Sequence, residues 1–280
     1  MMRVIGAEEI TAAVRELAMS AACHLEPDIL EALLVARDRE SSELSRNVLE
    51  LLLENSDIAS RQRMPVCQDT GIAVVFAELG HGVRIEGDPM AAIQEGVRRG
   101  YRDGYLRNSV CDPLTRVNTN DNTPAVIHLE PVPGDHLTLR LLPKGCGSEN
   151  MSALAMLPPS AGTAGIIDYV VERVVAAGSN PCPPVTVGVG VGGSFEKAAY
   201  LAKRSLCRPL GQSHPRRDAA ELEAAILTAV NEKGAGVHGF GGNNTALAVH
   251  LELFPTHIAS LPVAVNIQCH AHRHQEITLW

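Results

Sequence analysis

Aromatic side chains are scarce in this chain: of 280 residues only 3% are aromatic, namely one Trp, four Tyr and four Phe. A core must therefore be filled by Val, Leu, Ile and Ala, and with 45% hydrophobic residues the chain can build one large domain or two coupled ones. Basic charge is also in deficit, 24 Lys and Arg against 32 Asp and Glu for a net charge of −8. With no basic stripe of interleaved aromatics, a nucleic-acid surface is not expected. No apolar stretch approaches the ~20 residues that span a bilayer, so no membrane partner is expected. The first turns carry Glu8 and Glu9 and no apolar h-region, so no signal peptide is expected. Seven cysteines without an export signal point to reduced thiols and a cytoplasmic location. Internal repeats and low-complexity tracts are absent.

What is present begins with helix. Ile10, Val14 and Leu17 share a face, as do Ile29, Leu30, Leu33 and Leu34, then Leu44, Val48, Leu51 and Leu52. Pro27 suits the start of the second helix, and Ser41 or Ser42 the cap of the third. From Pro65 the pattern changes to short β-type runs, at 73–77, 125–129, 137–141 and 185–187, bounded by Gly, Pro or Asp. Helices are expected after Asp88-Pro89, from Ser160 to a stop at Gly178, near Ser194, and from Asp218 with Glu221 as a capping box and Gly234 as the stop. Strands at 246–251 and 263–267 close the chain, and 208–217 is the best loop candidate. The expected fold is α+β: a helical subregion over 1–62, then a mixed α/β body over 63–280.

Three cysteines sit in segments too polar and too constrained for ordinary core. They are Cys67 in Pro65-Val66-Cys67-Gln68-Asp69-Thr70-Gly71, Cys182 in Asn180-Pro181-Cys182-Pro183-Pro184, and Cys269 in Gln268-Cys269-His270-Ala271-His272-Arg273. Prolines fix φ and cannot donate to a central strand, so Cys182 belongs at a loop or strand edge. Three thiolates from distant loops could hold an iron–sulfur cluster and leave one iron open as a Lewis acid. The plain alternative is that they are buried small hydrophobes, the usual fate of a free cysteine. Their long separations form no C-x-x-C motif that would decide the matter.

These segments resemble the alpha subunit, or N-terminal half, of the class I fumarate hydratases and the related L(+)-tartrate dehydratases. The resemblance extends to Leu106-Arg107-Asn108-Ser109, Pro143-Lys144-Gly145-Cys146-Gly147-Ser148-Glu149-Asn150, the Gly188–Gly193 run, Gly239-Phe240-Gly241-Gly242 and 255–262, in the expected order over nearly the whole chain. It implies a [4Fe-4S] cluster held by Cys67, Cys182 and Cys269. It also implies an enzyme that reversibly adds or removes water on a small dicarboxylate, malate to fumarate or L-tartrate to oxaloacetate.

The resemblance assigns Gln68, Arg107, Lys144 and the loop at Cys146 to substrate. Arg107 suits the task because a guanidinium fork matches a carboxylate where lysine cannot. Its alternative is a solvated residue at a helix end. Cys146 departs from the family, which carries glycine or another very small residue in this loop, and so is a tolerated small side chain or a change in the pocket. Asp69 and His257 form the expected proton-handling pair. Their alternatives are a turn residue bonded to its own loop and a satisfied structural histidine. The base that removes the C–H proton is expected in a beta subunit, within an alpha2beta2 heteromer.

Two other readings compete. Gly188-Val189-Gly190-Val191-Gly192-Gly193 fits G-x-G-x-x-G after a strand and before a helix, as an NAD-binding oxidoreductase would. No acidic residue follows at the ribose position, where Arg208–His214 stands instead. The alternating His270, His272 and His274 with Cys269 could suggest a non-catalytic zinc module. With Cys269 assigned to the cluster, they are expected to line its loop or face solvent.

Overall fold

A computed structural model describes residues 3–280. In chain order its elements are β1 (Arg3–Gly6), α1 (Ala7–Cys23), α2 (Pro27–Arg39), α3 (Glu43–Gln62), β2 (Ile72–Gly80), β3 (Val83–Glu86), α4 (Pro89–Asp103), β4 (Val126–Val132) and β5 (Leu137–Lys144). There follow α5 (Cys146–Glu149), β6 (Ala153–Leu157), α6 (Gly162–Ala177), β7 (Val185–Gly192), α7 (Phe195–Ser205), α8 (Arg217–Lys233), β8 (Ala246–Phe254), β9 (Leu261–Gln268) and β10 (Gln275–Leu279). The fold is α+β, as expected. The chain divides into two compact units: Met1–Glu26, Ser56–Cys146 and Arg273–Trp280 form the first, and Pro27–Asn55 with Gly147–His272 the second.

In the first unit a four-stranded sheet runs β10-β5-β2-β4, antiparallel except for the parallel pair β2/β4. Its core joins Val14 and Leu17 of α1, Ile93 and Val97 of α4, Val75 of β2, and Leu139 and Leu141 of β5. Tyr101 is a rare aromatic in this core, only 1% exposed. Helix α4 starts as its sequence dictates: Asp88 accepts from the amides of Met90 and Ala91, and Pro89 occupies the first turn, where no donor is needed.

In the second unit the sheet order is β6-β9-β7-β8, with β7/β8 parallel and the other pairs antiparallel. Every residue of β7 is buried. Val185, Val187, Val189 and Val191 form one core with Ile166, Val170 and Val174 of α6 and with Ile226 and Val230 of α8. On the opposite face Gly188 and Gly190 lie under α7. A Cβ on Gly190 would come within 2.1 Å of the Ala198 carbonyl oxygen. A strand covered on both faces reads as a near-continuous small and apolar run, which is what this sequence shows.

Most helix boundaries follow the sequence signals. The Ser42 hydroxyl accepts from the Ser45 amide at 3.3 Å at the head of α3, and Gly178 ends α6 at φ 56°. The capping box expected at Asp218 does not form. Helix α8 begins one residue earlier, Asp218 pairs with Arg216, and Glu221 pairs with Arg217. Ion pairs here occupy the groups that a capping box would use. The segment 208–216 is a loop, one residue shorter than expected, held by Arg208 on Glu223 and by the Leu210 amide on Asp28 Oδ2 at 2.6 Å.

Candidate functional site

In the first unit the chain leaves α3, passes Cys67, Gln68 and Asp69, and enters β2. Asp69 is held on three sides. Its Oδ1 accepts from the Gly71 amide at 3.0 Å and its Oδ2 from the Cys146 amide at 2.8 Å, while its carbonyl accepts from Arg273 Nη2 at 2.8 Å. The carboxylate thus ties the Cys67 segment to the loop that opens with Lys144 and Gly145. Gly71 adopts φ +78°, and a Cβ there would lie 2.8 Å from the Lys144 backbone, so only glycine allows this approach. Below it, the Tyr101 hydroxyl is 2.8 Å from the Thr70 carbonyl and 3.0 Å from that of Gly71. Burial raises the Tyr101 pKa far above the usual phenol range; Arg273 opposes the shift and Asp69 adds to it.

The other expected substrate residues of this unit are close in the chain trace. The carbonyl of Arg107 accepts from Thr70 Oγ1 at 3.0 Å, leaving an exposed guanidinium. Lys144 ends β5 and is only 2% exposed. Gln68 is exposed, with its Oε1 3.7 Å from the Cys67 sulfur. Arg273 carries no expectation from the sequence. It is 1% exposed, and its Nε and Nη1 find no hydrogen-bond partner. An arginine in a histidine-rich segment reads as solvated, and no periodicity marks it as buried.

In the second unit Cys182 and Cys269 occupy neighbouring loops. Cys182 is exposed and adopts φ +54° beside a cis Pro183–Pro184 bond. Its carbonyl accepts from the His270 amide at 3.2 Å, immediately after Cys269. His270 Nδ1 also lies 3.1 Å from that carbonyl and 3.3 Å from His238 Nε2. Burial lowers the His238 pKa below the usual imidazole value. His272 and His274 are buried rather than solvent-facing, at 0% and 8% exposure. His257 stands on an exposed turn after β8, where its Nδ1 accepts from the Ala259 amide at 3.1 Å. In a neutral ring its hydrogen is then on Nε2. Asp69 and His257 therefore belong to different units, and each has its own backbone partners. In the motif that follows Cys146, Glu149 accepts from Lys203 and, at 3.0 Å, from Asn266 Nδ2, which gives this carboxylate a structural task.

None of the seven cysteines is in a disulfide. Cys23 is packed in α1, and burial, opposed by Arg63, raises its pKa, which makes it inert. Cys67, Cys182 and Cys269 instead lie on loops at strand ends, half-exposed or exposed. This donor set suits iron, which takes soft thiolate ligands. Among the described residues no three His, Cys, Asp or Glu side chains gather around one ion-sized point. A cluster would not require that, since each of its protein ligands binds a different iron.

The glycine run is committed to packing. The direction a side chain would take from Gly188 meets the Ala202 carbonyl at 2.1 Å, beneath α7, so this face has no room for a dinucleotide. With that fingerprint accounted for, the overall likeness decides the family. The profile of the fumarate hydratase (Fumerase) family matches residues 11–278. The chain belongs to this family. It is 41% identical over 272 residues to a Methanocaldococcus jannaschii protein named "Putative L(+)-tartrate dehydratase subunit alpha", covering 95% of each chain. It is 30% identical over 250 residues to the L(+)-tartrate dehydratase subunit alpha of Escherichia coli K12, covering 88% of this chain and 82% of that one. As a member of the fumarate hydratase family, the protein is an enzyme of the hydro-lyase class. Among the described residues, no helix is long and apolar enough to cross a membrane.

Proposed function

We propose that the chain is the alpha subunit of a [4Fe-4S]-dependent hydro-lyase acting on a small dicarboxylate, either malate/fumarate or L-tartrate. The observation that carries this reading is the end-to-end similarity to proteins named as tartrate dehydratase alpha subunits. The half-exposed or exposed cysteines Cys67, Cys182 and Cys269, none of them in a disulfide, support it. These three residues would hold the cluster, which when bound supplies a Lewis-acidic iron for the departing hydroxyl. Arg107, with its exposed fork, would clamp one substrate carboxylate, helped by Gln68, Lys144 and the amides around Cys146. Asp69, fixed by two amides, and His257, presenting Nε2 to solvent, would manage protons. A beta subunit would supply the base for the C–H proton, and the working assembly would be an alpha2beta2 heteromer in the cytoplasm.

The test is anaerobic reconstitution with iron and sulfide, followed by assay with the beta partner across a panel of diacids. The expected result is a brown protein with about four irons and four sulfides per alpha chain. Cys67→Ser, Cys182→Ser and Cys269→Ser should each abolish stable iron binding, while Cys146→Gly should leave the iron content unchanged. A colourless reconstituted protein, or iron binding that needs Cys146 in place of Cys182, refutes the assignment.

A further inference from the structure

Cys182 and Cys269 are far apart in sequence, and hydrogen bonds join their loops. One is the His270 amide on the Cys182 carbonyl at 3.2 Å. The same carbonyl lies 3.1 Å from His270 Nδ1. A carbonyl can only accept, so Nδ1 must carry the hydrogen in the neutral ring. His238 Nε2 stands 3.3 Å from that nitrogen and is then the unprotonated acceptor sharing the same hydrogen. The two rings are 5.0 Å apart at their centroids. The His238 amide meanwhile donates to the Pro183 carbonyl at 2.9 Å. One residue thus touches both loops: its backbone holds the segment after Cys182, and its ring holds the residue after Cys269.

His238 reaches this position in a costly conformation, φ 49°, which non-glycine residues rarely adopt. The surrounding loop is held rigidly enough to impose it. Glu40 is 1% exposed; its Oε1 accepts from the Ser42 amide at 3.1 Å and the Asn243 amide at 3.0 Å, and its Oε2 from Asn244 Nδ2 at 2.7 Å. The Ser45 hydroxyl donates to the Gly241 carbonyl at 2.7 Å. A strained residue kept in place by an over-determined loop marks a functional constraint.

We infer that His238 is a positioning residue that clamps the Cys182 and Cys269 loops together and so fixes the directions of two of the cluster thiols. Its link to the cluster rests on the function proposed above. The bonds themselves belong to the protein alone, so the clamp has a readout that needs no iron. His238→Asn tolerates the same backbone conformation but is too short to reach His270. His238→Gln places an amide near the position of Nε2. Both variants are compared with wild type by native-state hydrogen exchange on peptides covering 176–182 and 266–271, which contain the hydrogen-bonded amides of Cys182 and His270, with thermal melts to establish folding.

The expected result is exchange about fivefold faster in both peptides of His238→Asn, the equivalent of one modest hydrogen bond, with restoration in His238→Gln. In reconstituted protein, His238→Asn should lose iron to a chelator faster than wild type, with a changed visible spectrum, and His238→Gln should not. Unchanged exchange in His238→Asn overturns the clamp. Faster exchange with unaltered spectrum and iron loss overturns its role in holding the thiols. If wild type itself takes up no iron, the proposed function fails, and the exchange experiment still decides the clamp.

Discussion

At the scale of single residues, Arg107 and Arg273 are opposites. Arg107 is exposed, and its backbone carbonyl accepts from the hydroxyls of Thr70 and Ser109. Arg273 is buried and holds another residue's backbone, the carbonyl of Asp69. The first geometry suits a ligand arriving from solvent, the second a support. Arg107→Lys keeps the charge and loses the fork, so hydration activity of the assembled enzyme should fall at least tenfold, about 1.4 kcal/mol in transition-state binding, with iron content and melting temperature unchanged. Steady-state kinetics beside an iron assay would check this, and wild-type kinetics would return Arg107 to the solvent-facing role. The sequence pointed to Arg107 through its motif. It could not reveal Arg273 or His238, because their importance lies in burial and in partners far along the chain.

At the scale of elements, strand β7 and helix α7 make the sharpest case. The glycine alternation that imitates a nucleotide fingerprint is the groove into which α7 settles. Gly190→Ala places a methyl group where the Ala198 carbonyl oxygen and the Ala202 amide nitrogen already stand, at 2.1 and 2.6 Å. The cost should be about 3 kcal/mol, read by urea unfolding. Gly6→Ala, where nothing lies within 4 Å, should be close to neutral.

Glu40 gives a second test between elements. Burial raises its pKa, but the amides of Ser42 and Asn243 and the side chain of Asn244 outweigh this, leaving the carboxyl below its usual range. A carboxyl whose folded pKa is depressed stabilises the fold above its unfolded pKa. That contribution disappears as pH falls through the folded value. Wild type should therefore lose stability on acidification more steeply than Glu40→Gln, and Glu40→Gln should be the less stable protein near neutrality. Denaturant midpoints from pH 7 down to pH 3 would check both.

Local signals were legible where they were locally enforced. Asp88 with Pro89, Ser42, and Gly178 each set a helix boundary as expected, and the valine-rich runs became strands. The capping box at Asp218 failed because Arg216 and Arg217 claimed its carboxylates. Strands β1, β3, β6 and β10 were missed because each is four or five residues long and owes its pairing to a distant partner.

At the scale of the whole molecule, the proposed division of labour makes a prediction about incompleteness. Removing a proton from carbon beside a carboxylate needs a base within hydrogen-bond reach of that position. Asp69 already accepts two amide hydrogens and His257 accepts one. The reconstituted alpha chain should therefore show no appreciable turnover, nor should the beta chain, whereas their mixture should be active. Full activity from the alpha chain alone would place the base here and refute the two-subunit scheme.

The first unit is threaded from both ends of the polypeptide. Strand β10 pairs with β5, although Glu276 and its neighbour Arg140 are separated by 136 residues. A ribosome making this protein would release the Cys67 loop long before the strand that completes its sheet, and Arg273, 204 residues after Asp69, would reach it only once that stretch had been made. Contacts of such long sequence separation form late and slowly. On the proposed function, iron loading should consequently follow the synthesis of β10. Nascent chains arrested before β10 should resist iron uptake, and cells in which synthesis outpaces maturation should accumulate an apo form vulnerable to proteolysis at the Cys67 segment.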